Sequence, residues 1–527
     1  MPPLSFADRL QLVPMLPVAL MLTAGIATAR AATLPPALWL AAAVVTVTTA
    51  AALTIAGGRY AKRCGDSRLM PTTASVAVLA ATFFTGAFLM SESLGRRVTL
   101  HEGRAEYTAV IVSQPREYRR SIGCDIEVMS INGRECYRPV RLRAYFSKDP
   151  DAARLAVGDG LRAFSWLHEP DMFTRGVAAT TFIPAYAYRG EAVSMLKLSV
   201  LTRAKIRVLR LRRRLTAEYA AADIGGQRLA VLAALTLGDK SMLHRETRDD
   251  YARAGVSHIL ALSGMHLTII YVLLSLLLDR RRNNAPDGRT LITQLFIIVS
   301  LWFFAALVGM PPAAVRAATM MTLFAFCRLM EGDTTTVNTL AFTATAMLVA
   351  DPESLFDIGF QLSFMAMIAI AVVFRPLCSV VPQALMSIAP LRWVIQTSVV
   401  SLAAQMGTAP IVAYYFGIIP LWTLLTNIVV AVFATALLYG AALFLVLTPL
   451  TALPPLAAAH TATASLLSAV AGAMNSTVQW MATLPGATLT VHPTLLQVVL
   501  TYCAIAAACC LGAIIIDTIV SHSSRHN

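Results

Sequence analysis

Two serines, two histidines and a glycine open a long apolar run in SHILALSGMHLTII, residues 257–270. Serine beside histidine is the pairing of nucleophilic hydrolysis, in which an imidazole takes the hydroxyl proton. Ser263-Gly264-Met265-His266 lacks the flanking pattern of a nucleophile elbow, and no carboxylate obviously orients His258 or His266. The two histidines lie about 80° apart around a helix, which permits one shared metal. No third Cys, Asp or Glu stands near them, so neither a metal nor a cofactor is expected. No two of the nine histidines are separated by a single residue, and GxxxxGK[ST] occurs nowhere. A further use for such residues is structural or aqueous. An unsatisfied polar group at membrane depth costs several kcal/mol, so polar residues there tend to line a water-filled path or a contact between helices.

Composition decides what must position them. Hydrophobic residues make up 57% of the 527 and charged residues only 14%, against a usual charged share of about 25%. Apolar stretches of transmembrane length recur along most of the chain. The expected fold is a polytopic α-helical membrane protein with an inserted small β-rich domain of oligonucleotide-binding (OB) type. Residues 11–30 follow Arg9 and precede ATARA, the outline of a signal peptide, but a second span begins at once at 36–57, which favours an uncleaved first helix. Arg59, Lys62, Arg63 and Arg68 mark a cytoplasmic loop. A third span near 72–90 then exports the soluble segment, which is placed on the periplasmic side. Later spans are expected near 257–278, 290–309, 313–328, 337–350, 355–374, 393–413, 420–447, 458–481 and 495–517, two of them short for a bilayer. No Lys or Arg occurs between Arg392 and Arg525, so charge leaves the side of the C-terminus open.

The organisation expected is about three helices over 1–91, the β-rich domain over 92–197, a basic amphipathic helix over 198–222, a helical membrane domain over 223–520 and a short tail at 521–527. From Glu92 to Ala222 there are 23 Lys+Arg and 14 Asp+Glu, so +9 of the net +14 sits in this one segment. Such charge attracts phosphate, whether of lipid or of nucleic acid. In CYRPVRLRAYFS the alternation puts Val140, Leu142, Ala144 and Phe146 on one face of a strand, and Arg141, Arg143 and Tyr145 on the other. LRAFSWLHEP is a further strand. In the basic helix, Arg203, Arg207, Arg210 and Arg214 share a face beside an apolar stripe of Ala204, Val208, Leu211 and Leu215. That face suits a lipid surface or a phosphate-steering collar. Cys124 and Cys136 are a disulfide candidate; Cys327, Cys378, Cys503, Cys509 and Cys510 suit packing in or beside apolar runs, and Cys64 lies in the basic loop.

Four passages resemble the ComEC family, the inner-membrane channels that pass single-stranded DNA into competent bacteria, and they stand in the family's order. They are LTLGDKSML with GVSHILALSGMHLTII; VGMPPAAVRAATMM, with Pro312 in place of the family's Ser; NTLAFTATAMLVADPESLFDIGFQLSFMAMIAI; and SLAAQMGTAPIVAYYFGIIPLWTLLTNIVV. EPDMFTRGVAATTFIPAYAY is similar to the end of the family's small soluble domain, without its Gly-Asp-Phe-Asp wording. The resemblance implies a channel that translocates single-stranded DNA into the cytoplasm during natural transformation. His258, Ser263, Gly264, His266, Arg316, Asn338, Gln361, Ser363, Gln405 and Asn427 are then its channel-lining candidates. Gln361, Asn338, Asn427 and Gln405 equally suit hydrogen bonds between helices, and Arg316 suits snorkelling or pairing with Asp357. Arg141, Arg143, Tyr145, Arg203, Arg207, Arg210 and Arg214 are the DNA-binding candidates.

Many ComEC proteins carry a C-terminal domain resembling metallo-β-lactamases, whose His-x-His-x-Asp-His cluster this sequence lacks. The chain is therefore not expected to be an enzyme, and strand degradation falls to a separate nuclease. Drawing a polyanion against a negative-inside potential costs about 2.3 kcal/mol per charge per 100 mV, so a cytoplasmic motor or single-strand binding proteins must do the work. Membrane lipids are the other expected partner, and the oligomeric state is left open. The alternatives are a transporter of a non-DNA substrate, which internal symmetry would favour and no convincing repeat supports, and a membrane-embedded hydrolase using His258, Ser263 and His266.

Overall fold

The computed structural model describes residues 13–32, 34–64, 69–95, 100, 102–169, 177–194, 196, 198–260, 262, 264–278, 288–329 and 336–523. Three apolar helices come first: α1 (Met15–Ala31), α2 (Pro36–Cys64) and α3 (Leu69–Gly95). α1 and α3 cross closely because each offers a glycine to the other's backbone. A Cβ on Gly25 would collide with the Phe83 carbonyl oxygen, and one on Gly86 would lie 2.5 Å from that of Leu22.

The soluble segment is a closed barrel. Its strands are β1 (Gly103–Ile111), β2 (Arg116–Glu117), β3 (Ser121–Ile131), β4 (Arg134–Ser147), β5 (Gly160–His168), β6 (Ala179–Ile183) and β7 (Tyr188–Gly190). The order β1-β3-β4-β6-β5 returns to β1 through a β1–β5 ladder, with β4 and β6 parallel and the other barrel pairs antiparallel. Five strands in this order form an OB-like barrel. Leu142, Ala144 and Phe146 point inward with Cys124, Ile126, Leu161 and Ala179, and Val140 packs at the rim, as the alternation of β4 requires.

The disulfide expectation is overturned, because Cys124 and Cys136 are both free. Register sets Cys124 opposite Ala144, whereas Glu135, next to Cys136, lies opposite Ser130, so the two cysteines are about five residues apart along β3. That is about 16 Å at the rise of an extended strand, well beyond the roughly 7 Å between Cα atoms that a disulfide bridges.

α4 (Val200–Ala221) starts from a Ser199 side chain that accepts the Thr202 N–H at 3.0 Å. Its buried stripe is Ile206, Leu209, Arg212, Thr216 and Tyr219. The expected stripe is corrected accordingly: Ala204 and Leu211 are exposed, while Val208 and Leu215 are half-buried. The cause is packing on two bodies at once. Ile206 and Leu209 close over Val110, Val112, Met129 and Val157 on the outer face of β1 and β3, whereas Tyr219 enters the core of the helical bundle.

The bundle follows as α5 (Gly226–Leu237), α6 (Arg245–Arg253), α7 (Ser257–Leu260), α8 (Gly264–Leu278), α9 (Gly288–Leu307), α10 (Pro312–Leu329), α11 (Thr336–Ala350), α12 (Ile358–Val380), α13 (Gln383–Ser387), α14 (Ala389–Phe416), α15 (Thr423–Leu447), α16 (Pro454–Ala482) and α17 (Leu495–Ser523). A short ribbon of β8 (Ile418–Pro420) and β9 (Thr488–Thr490) ties α14 to the segment before α17. The single span expected at 257–278 is instead two helices, α7 and α8, with Leu262 between them at φ 50°. Among the described residues, six helices are long and apolar enough to cross a membrane: parts of α2 and α3, and α12, α14, α15 and α16. Their large side chains remain exposed, including Val44, Val372, Leu443 and Leu466, as lipid contact requires. The protein is a polytopic membrane protein.

Candidate nucleic-acid interface

The barrel presents two different outer walls. One lies beneath α4. The other, formed by β3, β4, β6 and β5, is open and carries a transverse row of rings. Tyr145 pairs with Gly123 on one side and with Phe182 on the other. Leu167 pairs with Thr181, so one step further along the same register Trp166 lies beside Phe182. Phe182 is 51% exposed and Trp166 47%, which is unusual for large apolar rings unless they contact something. Tyr118 continues the row beyond Gly123, edge-to-face with Tyr145 at 6.0 Å. Glycine is required there, because a Cβ at 123 would stand 2.8 Å from the Tyr118 ring and 3.1 Å from that of Tyr145.

Asp125 lies beside this row, outward-facing yet buried. It accepts from Arg141 Nη2 and Arg143 Nε, both at 2.5 Å, and its backbone N–H donates to Ser113. Burial alone would raise its carboxyl, but Arg141 and Arg143 outweigh burial and hold it below the usual carboxylate range. Two guanidiniums thus share one acid, and the arrangement keeps a positive charge beside the rings. Of the α4 arginines, Arg207, Arg210 and Arg214 are exposed and Arg203 is half-buried. Arg210 Nε donates to the Val157 carbonyl at 3.1 Å, which braces the helix on the barrel.

The channel-lining candidates divide among several places. His258, on α7, is exposed. Ser263 lies outside the described residues. Gly264 begins α8, where a Cβ would touch Ala317 of α10 at 3.4 Å, and His266 on the same helix is buried. Arg316 on α10 is buried, with Nη2 donating to the Gly359 carbonyl at 2.9 Å and the guanidinium 5.8 and 5.9 Å from the Phe360 and Phe364 rings. Its Nε and Nη1 have no hydrogen-bond partner among the described residues. No ion pair joins it to Asp357, whose carboxylate instead caps α12 through the Phe360 N–H at 2.9 Å.

Gln361 donates to the Leu355 carbonyl and accepts from Tyr415 of α14. Asn427 on α15 donates to Ser401 of α14 at 2.7 Å. Asn338 accepts the Met15 N–H at 3.0 Å, which sets it against α1 and apart from α7 and α8. Ser363 and Gln405 are half-buried on α12 and α14. The structure therefore brings Arg316, Gly359 and Gln361 together around the start of α12, but does not gather all the candidates onto one wall.

Sequence reasoning missed the half of the ring row contributed by Phe182 and Trp166. The alternation of LRAFSWLHEP was its available signal, since it sends Phe164 and Trp166 to one face. It also missed Lys205 and Arg212, the cations on the barrel-facing side of α4.

Fold and site together define a membrane protein whose OB-like barrel is docked on a bundle of apolar helices. Residues 235–514, more than half of the chain, match the family model described as Competence protein. The chain belongs to that family. It is 28% identical over 191 residues to ComE operon protein 3 of Bacillus subtilis (strain 168), a match covering 35% of this chain and 22% of that protein. It is 30% identical over 221 residues to an uncharacterized protein of Aquifex aeolicus (strain VF5), covering 42% of this chain and 47% of the relative. The chain thus spans less than half the length of each of these two relatives. No solved structure matches it.

Proposed function

We propose that the protein is an inner-membrane channel that takes up single-stranded DNA: the barrel faces the periplasm and receives the strand, and the helical bundle conducts it. The observation that carries this reading is the row Tyr118, Tyr145, Phe182 and Trp166 with Arg141 and Arg143 alongside. Unpaired bases stack on exposed rings whatever their identity, while nearby cations meet the backbone. Duplex DNA hides its base faces and has no use for such a row. In the bundle, the unpartnered N–H groups of Arg316 and the exposed His258 are suited to a passing phosphodiester chain. The soluble domain is 92–197, the linking helix 198–222 and the conducting domain 223–520. The work against the membrane potential comes from a cytoplasmic motor or single-strand binding proteins, and any strand degradation from a separate nuclease.

The test uses a naturally competent host carrying this chain as its only copy. Deletion should abolish entry of labelled DNA into the cytoplasm and leave DNA captured at the cell surface unchanged. Unchanged transformation after deletion rejects the reading.

A further inference from the structure

The seam between the barrel and the bundle collects cations that outnumber the acids around them. Lys205 and Arg212 lie seven residues apart on α4, on the side that packs against the barrel, and Arg212 is 94% removed from solvent. Arg212 Nη2 reaches Gln114 Oε1 at 3.5 Å in the loop before β2, its Nε has no partner, and its Nη1 lies near the Gly309 backbone. Two residues beyond Gln114 is Arg116, exposed on β2, which repels both Arg212 and Lys240. Lys240 belongs to the loop 238–244 of the family-matched region, and Arg248 of α6 donates to the Lys240 carbonyl at 2.7 Å. Lys205 is in turn repelled by Arg141 at one end and Arg212 at the other, with Asp125 and Glu127 as its nearby acids.

The seven-residue spacing on α4, the Arg212–Gln114 contact two residues before Arg116, and the Arg248–Lys240 hydrogen bond set Arg141, Lys205, Arg212, Arg116, Lys240 and Arg248 along one seam between the ring row and the bundle. Among the described residues, none of the last five is in a salt bridge. The acid whose charge acts on Arg212 is Asp239, whose carboxylate is turned to the backbone N–H and hydroxyl of Ser241 at 3.0 and 2.6 Å. Assembling like charges at a half-buried seam destabilises the fold, and an anion laid along it relieves the repulsion. Burial, then Arg116 and Arg248, hold the Lys240 ammonium down to about 8, a perturbation of the kind that marks binding sites.

We infer that Lys205, Arg212, Arg116 and Lys240 form a phosphodiester-binding track that hands the backbone of a single strand from the barrel wall to the mouth of the bundle. It rests on the reading of the protein as a single-strand channel and adds the route between its two halves. Lipid phosphate is the competing occupant of the same chemistry. At its centre Arg212 is buried between α4 and the barrel loop at 114–116, whereas lipid meets the apolar residues exposed around the helices.

The experiment measures binding of fluorescein-labelled (dT)20, and of an abasic deoxyribose-phosphate oligomer of the same length, to the full chain in nanodiscs across a salt series. The variants are Lys205→Gln/Lys240→Gln and, separately, the exposed Arg116→Gln, each with its melting temperature recorded. For single strands the logarithm of affinity falls with that of salt by about 0.7 per phosphate contact. The double variant should flatten the slope by about 1.4 and Arg116→Gln by about 0.7, each cation costing roughly tenfold in affinity at low salt. Both oligomers should lose equally, since the track touches no base. Slopes equal to wild type overturn the track and leave the channel reading standing. Absence of wild-type binding to either oligomer sinks both. A loss seen only in nanodiscs containing anionic phosphatidylglycerol, and not in phosphatidylcholine alone, reassigns the cations to lipid and overturns the track.

Discussion

Removing one ring from the barrel wall gives the most direct test of what that wall binds. Trp166 and Phe182 point away from the barrel core and are about half exposed. Their replacement by alanine therefore falls among surface changes, which usually alter stability by about 0.5 kcal/mol or less. Neighbouring strands lie about 4.8 Å apart, so Tyr145, Phe182 and Trp166 form a platform about 10 Å across. A base stacked on one such ring contributes about 1–3 kcal/mol, so Trp166→Ala should weaken (dT)15 binding about five- to 150-fold. Fluorescence anisotropy on the full chain in nanodiscs measures this, with Tyr137→Ala, fully exposed on β4 and off the row, as the control. Because no charge is lost, the salt slope should not move, which separates stacking from phosphate contact. Affinity within twofold of wild type for both Trp166→Ala and Phe182→Ala, at unchanged melting temperature, refutes the stacking platform.

Four other outcomes are expected. Asp125→Asn leaves Arg141 and Arg143 without their shared acid and should destabilise the barrel by about 1–2 kcal/mol, the buried-pair cost discounted because both guanidiniums are partly exposed; thermal unfolding reads it. Because the folded Asp125 carboxyl is held low, its stabilisation is complete above the unfolded value of about 3.9 and should be lost as pH falls through the lower folded value, an acid limb that Asp125→Asn removes. Gly255, at φ +77° and with Thr423 Oγ1 and Cβ crowding the place of a Cβ, should lose about 2–4 kcal/mol on change to alanine through backbone strain and overpacking, seen as a lower melting temperature in detergent. Lys240 faces Arg116 and Arg248, with Arg212 and Asp239 also at the seam, and should lose its charge as pH rises through about 8; strand affinity should fall over that range and stay flat in Lys240→Gln.

The parts of this fold visible in the sequence are those fixed by local periodicity. Alternation alone puts Leu142, Ala144 and Phe146 inside a barrel, and apolar runs alone mark helices such as α12 and α15. Features that depend on two partners were not visible. The inward stripe of α4 is turned from the one its sequence suggests because barrel and bundle grip it from different sides. Cys124 and Cys136 are close in sequence, yet the β3–β4 register draws them far apart. Arg316 was legible as the basic residue deep in its span, but its neighbours Gly359 and Phe360 come from another helix.

One helix serves as wall covering for the barrel and as core for the bundle. Ile206 and Tyr219 are thirteen residues apart, about 20 Å along α4, and each is fully buried in a different body. No flexible tether intervenes, so the two bodies keep a constant offset. Anything resting on the open wall is presented to the bundle at a local concentration set by this span, and its second contact becomes an intramolecular step. A proline placed mid-helix, or a glycine-rich insert after Arg214, would turn that rigid strut into a leash and dilute the handover while leaving both bodies folded.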